Sequence, residues 1–153
     1  MKTALTSLKF WLALAASVIF GLGATAARAH AAPELMVTSP AINQEIAGQS
    51  VNVKLAVGEF TLTDYTTHTK KVAGQGHIHL WLDQEARTKT SAIKTITDTY
   101  VFENVTPGEH TLVAELVNND HSSLGPPIMA TVMFASIKSP APCKKGCILL
   151  PLG

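Results

Sequence analysis

In His77-Ile78-His79, two side chains of metal-ligating type stand at a spacing that can do chemistry. In extended backbone, residues i and i+2 project from one face with Cα atoms ~6.6 to 6.8 Å apart, close enough for both imidazoles to lean onto one cation at ~2.0 to 2.1 Å per metal–nitrogen bond. Two imidazoles make half a site. Asn118-Asn119-Asp120-His121 can return a third, with Asp120 as a ligand or as the group that orients it. His110 is a fourth candidate, but it stands two residues past Gly108 of a Thr106-Pro107-Gly108 corner. Many secreted sandwich modules have a corner tyrosine in that place, hydrogen-bonded to nearby backbone. The alternatives to ligation are solvated surface histidines at 77 and 79 and, at 121, a turn residue among Asx-type backbone bonds. Imidazole suits copper and zinc alike, so the ligand type leaves the metal open. Binding should weaken as pH falls through the imidazole range near ~6.5, because a protonated ring cannot ligate.

Such residues need a rigid frame, and the frame here is made of strands. Residues after position 29 show period-2 patterning, abundant β-branched residues and regularly spaced turn residues. Strands are predicted at Leu35 to Thr38, Ser50 to Val57, Phe60 to Thr63, His77 to Asp83, Thr95 to Phe102, His110 to Val117 and Ile128 to Ile137. Turns are expected at Ser39-Pro40, Ala47-Gly48, Gly74-Gln75-Gly76, Thr106-Pro107-Gly108 and Gly125-Pro126-Pro127, with polar loops over 64–76 and 84–94. The fold class is all-β: an immunoglobulin-like antiparallel β-sandwich of about seven strands, with a small barrel as the alternative. Within His77 to Asp83, Ile78, Leu80 and Leu82 should face the core. His77, His79, Trp81 and Asp83 should face away from it, so removing both imidazoles should leave the metal-free fold nearly unchanged. Met129 and Met133 share a face of the last strand and read as core filler rather than as soft ligands for Cu(I).

The first residues of the 153-residue sequence suggest a compartment. Lys2 and Lys9, the apolar run Phe10 to Gly23 and the Ala27-Arg28-Ala29 motif have the layout of a secretory signal peptide over residues 1–29. The run is shorter than the ~20 residues of a membrane span, so no span is expected after cleavage, and the product should be periplasmic or secreted. Cleavage there makes His30 the first residue, offering its amino nitrogen and imidazole together to copper. The domain then runs over 30–138, followed by a Pro-rich tail, 139–153, whose Cys143 and Cys147 either pair locally or serve as a soft metal-binding or intermolecular pair. The leader carries away Lys2, Lys9 and Arg28, which leaves nine basic against eleven acidic residues and a net charge of −2. That balance argues against nucleic acid, which calls for a basic stripe. No G-x-S-x-G, P-loop or H-E-x-x-H occurs, so a non-enzymatic role is expected. Partners would be a metal ion or another envelope protein; the competing class is a metal-free structural or adhesion module. His68, in Thr66-Thr67-His68-Thr69, reads as solvated.

Gly76-His77-Ile78-His79-Leu80-Trp81-Leu82-Asp83, Pro107-Gly108-Glu109-His110-Thr111-Leu112, Asn119-Asp120-His121 and Pro126-Pro127 occur in this order. Together they resemble an uncharacterised family of secreted bacterial Ig-like domains with the pattern G-H-x-H-x-x-x-D, P-G-x-H-T-L, N-D-H and P-P. The resemblance covers roughly residues 35 to 135 and implies a small sandwich in which His77, His79, His110 and His121 recur as a set. A second, weaker likeness is to periplasmic copper-resistance carrier proteins, on His30, Ser39-Pro40-Ala41 and the late Asp120-His121 pair. Those proteins separate the late Asp and His by one residue, whereas here they are adjacent.

Overall fold

A computed structural model describes residues 31–139. The expected leader, His30, and the tail beyond Ser139 with Cys143 and Cys147 lie outside the described residues. In chain order the strands are β1 (Glu34–Ser39), β2 (Gln44–Ala47), β3 (Val51–Gly58), β4 (Thr61–Leu62), β5 (Gln75–Leu82), β6 (Ile93–Thr95), β7 (Thr99–Phe102), β8 (Gly108–Asn118) and β9 (Ser123–Ile137). One sheet has the order β1-β3-β7 and the other β2-β9-β8-β5-β4, with β6 also paired to β5. The main ladders are antiparallel; β2 runs parallel to β9 and β4 parallel to β5. The two-sheet partition is that of an immunoglobulin-like sandwich.

Alternation in the sequence explains most of this frame. In β3, Val51, Val53 and Leu55 are buried and Asn52 and Lys54 point out. They meet Ile78, Leu80, Leu112, Leu116, Val132 and Phe134 of the opposite sheet in a single core. β5 and β8 depart from alternation because both of their faces are covered. On the outer face, Trp81, Ala92 and Val113 form a second, small apolar cluster beneath the 83–92 loop. The Trp81 indole donates to Thr88 O and Ser91 Oγ, both at 3.2 Å, which pins that loop down.

Among the described residues nine strands form where about seven were expected. β2 is short and has one half-buried residue, Ile46, so its alternation is too brief to register. The expected strand Thr95 to Phe102 is two strands in different sheets, divided at Ile96-Thr97-Asp98, where Thr95 Oγ1 accepts from Thr97 N at 3.1 Å. Gly125-Pro126-Pro127 is a bulge inside β9, at the register break between Leu116↔Ile128 and Val117↔Ser123. Unpaired backbone there tolerates the missing proline donors. Met129 and Met133 are not core filler: they are 45% and 51% exposed, because Ala130, Val132 and Phe134 occupy the inward phase of β9.

Gly76 is expected in a turn but lies in β5, and its role is close approach. A Cβ there would stand 1.9 Å from Val117 O and 3.0 Å from the Phe60 ring. The obstructing atom is backbone on the neighbouring strand, so it cannot swing aside. Gly76→Ala should therefore destabilise the domain by about 3 kcal/mol, the upper range for overpacking. Urea unfolding measures this; a midpoint like that of the parent would show that β8 yields.

Candidate metal centre

The β5–β8 ladder sets the site. His77 is paired with Val117 and Gly76 with Asn118, so the β8–β9 hairpin turns over beside His77. Within it, His121 N donates to Asn118 O at 2.9 Å and Asn118 N donates to Ser122 O at 2.8 Å. His121 has φ 61°, the left-handed conformation that a non-glycine residue adopts at some cost. Asp120 Oδ1 accepts from Ser122 N and Oγ, completing an Asx turn. These local bonds hold His121 in the conformation that aims its ring back over β5.

Three ring nitrogens converge there. His77 Nε2 stands 3.1 Å from His79 Nε2 and 2.8 Å from His121 Nδ1, and the last two are 3.4 Å apart. Among the described residues these three are the group whose ligand atoms could hold a metal. His77, His79 and His121 would supply three nitrogen ligands to a cation such as copper or zinc, one fewer than a four-coordinate ion takes.

The triangle also discriminates against a purely hydrogen-bonded role. An imidazole nitrogen is either a donor or an acceptor, never both, so three mutually adjacent nitrogens leave at least one pair of like kind. The best metal-free arrangement has His77 Nε2–H shared between the other two nitrogens, whose lone pairs then face each other across 3.4 Å. A cation accepts all three lone pairs and removes the conflict. His77 Nδ1 is buried and lacks a hydrogen-bond partner in either case.

Alternation put His77 and His79 on the face away from the core, and that phase is correct. The expectation that this makes them dispensable to the metal-free fold is not: they are 0% and 1% exposed. Tyr65 of the 64–73 loop packs on His77, and Trp81 on His79. The Tyr65 ring lies 4.4 Å from His77 and 5.1 Å from His121, and Trp81 stands 5.5 Å from His79 on the other side. Asn119 ties the loop to the hairpin: its Oδ1 accepts from Thr63 Oγ1 at 2.7 Å and its Nδ2 donates to Lys70 O at 3.1 Å. Burial, then the neighbouring histidines and Lys94, hold His77 down to about 3; burial, then His121, Lys94 and Lys89, hold His79 down to about 4. His121 is lowered as well, chiefly by burial. The trio is neutral at pH 7 and ready to ligate.

The structure does not bring His110 or Asp120 into this group. Asp120 is exposed and turned to Ser122, because its short side chain closes the Asx turn. His110 is at the far end of the β5–β8 pair, beyond the Leu82↔Leu112 pairing, as the antiparallel register requires. Its Nε2 faces Thr106 O at 2.6 Å, the corner role, and its Nδ1 faces Asp83 Oδ2 at 2.6 Å. Asp83 also accepts from Thr111 N at 2.8 Å. His68 is exposed and bonded within its own turn.

Two acceptors on one buried ring favour imidazolium. Burial opposes the charge, but the hydrogen bonds to Asp83 and Thr106 outweigh it and raise the His110 pKa. A raised folded-state value means stability present in full below ~6.5 and lost as pH rises through the higher folded value. His110→Gln should remove this alkaline loss. Urea unfolding across pH 6 to 9 reads it; an unchanged slope in the variant would assign the loss elsewhere.

No family model and no curated protein matches the chain. Solved structures with some likeness include an engineered protein at 15% identity and TM-score 0.47, covering 71% of this chain, which in turn spans only 21% of that protein. Fibronectin(III)-like modules of Clostridium thermocellum CbhA are similar at 15% identity and TM-score 0.45, over 68% of this chain and 94% of theirs. The PKD domain of human KIAA0319 is similar at 11% identity and TM-score 0.38, over 78% and 96%. At such scores the fold rests on the strand order described above. Among the described residues no helix is long and apolar enough to cross a membrane.

Tyr65 was not singled out in the sequence, and Asn119 was read only as part of the Asn119-Asp120-His121 motif and not as the anchor of a covering loop. A lone aromatic in a polar loop and one asparagine in a turn carry no pattern that separates a site wall from ordinary loop residues.

Proposed function

We propose that this protein is an exported binding domain, periplasmic or secreted, that holds one copper or zinc ion on His77, His79 and His121 for storage or delivery, and that it is not an enzyme. The observation that carries this reading is the triangle of nitrogens 2.8 to 3.4 Å apart, which protons alone cannot satisfy. A buried neutral trio suits Cu and Zn equally. The leader-like segment 1–29 supports export, and the likeness to copper-resistance carriers is compatible with delivery to another envelope protein.

Protein purified without an affinity tag should contain near-stoichiometric metal. Adding copper or zinc to the stripped form should stabilise it by ~2.7 kcal/mol at a free concentration one hundred times the dissociation constant. Trp81, in T-shaped contact with the His79 ring, should lose fluorescence with Cu(II) and much less with Zn(II). Absence of any thermal shift at neutral pH, in buffer that does not chelate, would return the domain to the metal-free interaction class. One feature favours that second reading: Met36, Ile42 and Met129, all exposed, border a single groove between β1 and β9.

A further inference from the structure

We infer that the metal-loaded site binds a small oxyanion, a carboxylate or a phosphate-type group, with one oxygen on the open coordination position and another on the Lys94 ammonium. This rests on the metal reading above and specifies what completes the site. Three neutral imidazoles would leave the charge of a divalent ion uncompensated, and among the described residues no fourth His, Cys, Asp or Glu joins them to fill the coordination of a four-coordinate ion. Lys94 is directly opposite His79 in the β5–β6 ladder. Paired residues of an antiparallel ladder share a face, with Cβ atoms ~4.5 to 5.5 Å apart, so its side chain leaves the sheet beside the imidazoles. Among the described residues Lys94 forms no ion pair with a carboxylate.

Two carboxylates compete for the role. Asp120 is committed to Ser122. Glu115 lies opposite His79 on β8 and is buried, but its oxygens are not among the converging ligand atoms. A ligand with two oxygens is favoured over chloride because it can bridge metal and ammonium at once.

The test uses the full mature chain loaded with Cu(II), titrated with acetate and, separately, inorganic phosphate, and read by the visible absorption and electron paramagnetic resonance of the copper. A saturable change is expected with at least one probe, and the probe with the lower dissociation constant identifies the class. Lys94→Gln should raise that constant tenfold or more while copper affinity holds within threefold, and Glu115→Gln should leave it unchanged or lower it. An unchanged copper signal in protein shown to carry the metal overturns the inference and leaves the metal reading intact. Equal constants in parent and Lys94→Gln overturn it too, as does an anion response that appears only in Glu115→Gln, which would make Glu115 the fourth ligand. Failure to load copper or zinc at all removes both readings.

Discussion

Replacing His121 with glycine should lower metal affinity at least ~100-fold while leaving the metal-free protein within about 1 kcal/mol of the parent. Even outer partners of metal ligands are worth ~10 to 100-fold in affinity, so loss of one of three ligands must cost at least the upper figure. The metal-free side follows from backbone. His121 occupies a left-handed position at φ 61°, where its Cβ costs ~1–2 kcal/mol and glycine costs nothing sterically. That gain offsets the greater chain entropy of glycine and the lost edge contact with Tyr65. The hairpin bonds of Asn118, Asp120 and Ser122 do not use the His121 side chain. His79→Ala lacks this separation, because truncating a ring that is 1% exposed opens a cavity between His77 and Trp81. Competition with a chelator of known affinity and urea unfolding of stripped protein give the two readouts. A variant that keeps the metal-induced thermal shift would remove His121 from the site.

Stripped protein should lose stability steeply on the acid side, at about 2 to 2.5 kcal/mol per pH unit between pH 4 and 6. The unfolded chain takes up protons at His77 and His79 near ~6.5, while the native state refuses them until about 3 and about 4. A depressed histidine makes the unfolded state the better proton binder in this window, so stability falls with pH by at most ~1.4 kcal/mol per unit for each of the two groups. Over pH 6 to 4 the loss sums to about 5 kcal/mol, enough to unfold the metal-free form if its stability is at the low end of the ordinary ~5 to 15 kcal/mol. The same cause revises the expected pH dependence of binding. Because folded His77 and His79 are already neutral near pH 5 to 6 and His121 is also lowered from its ordinary value, native-state metal affinity should decline at lower pH than ordinary imidazoles would dictate. Urea unfolding of chelator-treated protein at several pH values measures the slope, and a His77→Gln, His79→Gln double variant should flatten it. An equal slope in parent and double variant would place the acid sensitivity in other groups.

The alternation of Val51 to Leu55 and of His77 to Leu82 determined which residues face the core, because a strand has a side-chain period of two and no tertiary contact is needed to read it. The same regularity put His77 beside His79, and the H-x-H spacing with a late Asp120-His121 pointed to the three histidines that converge. The corner role of His110 was also legible, from its place after Pro107-Gly108.

Tertiary structure decided the rest. Whether His110 or His121 joins the pair on β5 depends on strand register, set by which residues pair across the β5–β8 ladder: Val117 opposite His77 brings the 118–122 turn near and sends position 110 to the far end. The cover over His77 comes from the Tyr65 loop, which Asn119 anchors through a contact between residues 49 positions apart. Sheet membership likewise split one expected strand into β6 and β7, since local propensity is the same on either side of a sandwich. Local sequence fixes the phase of a strand, but register, cover and partner are properties of pairs of segments, and no single segment encodes a pair.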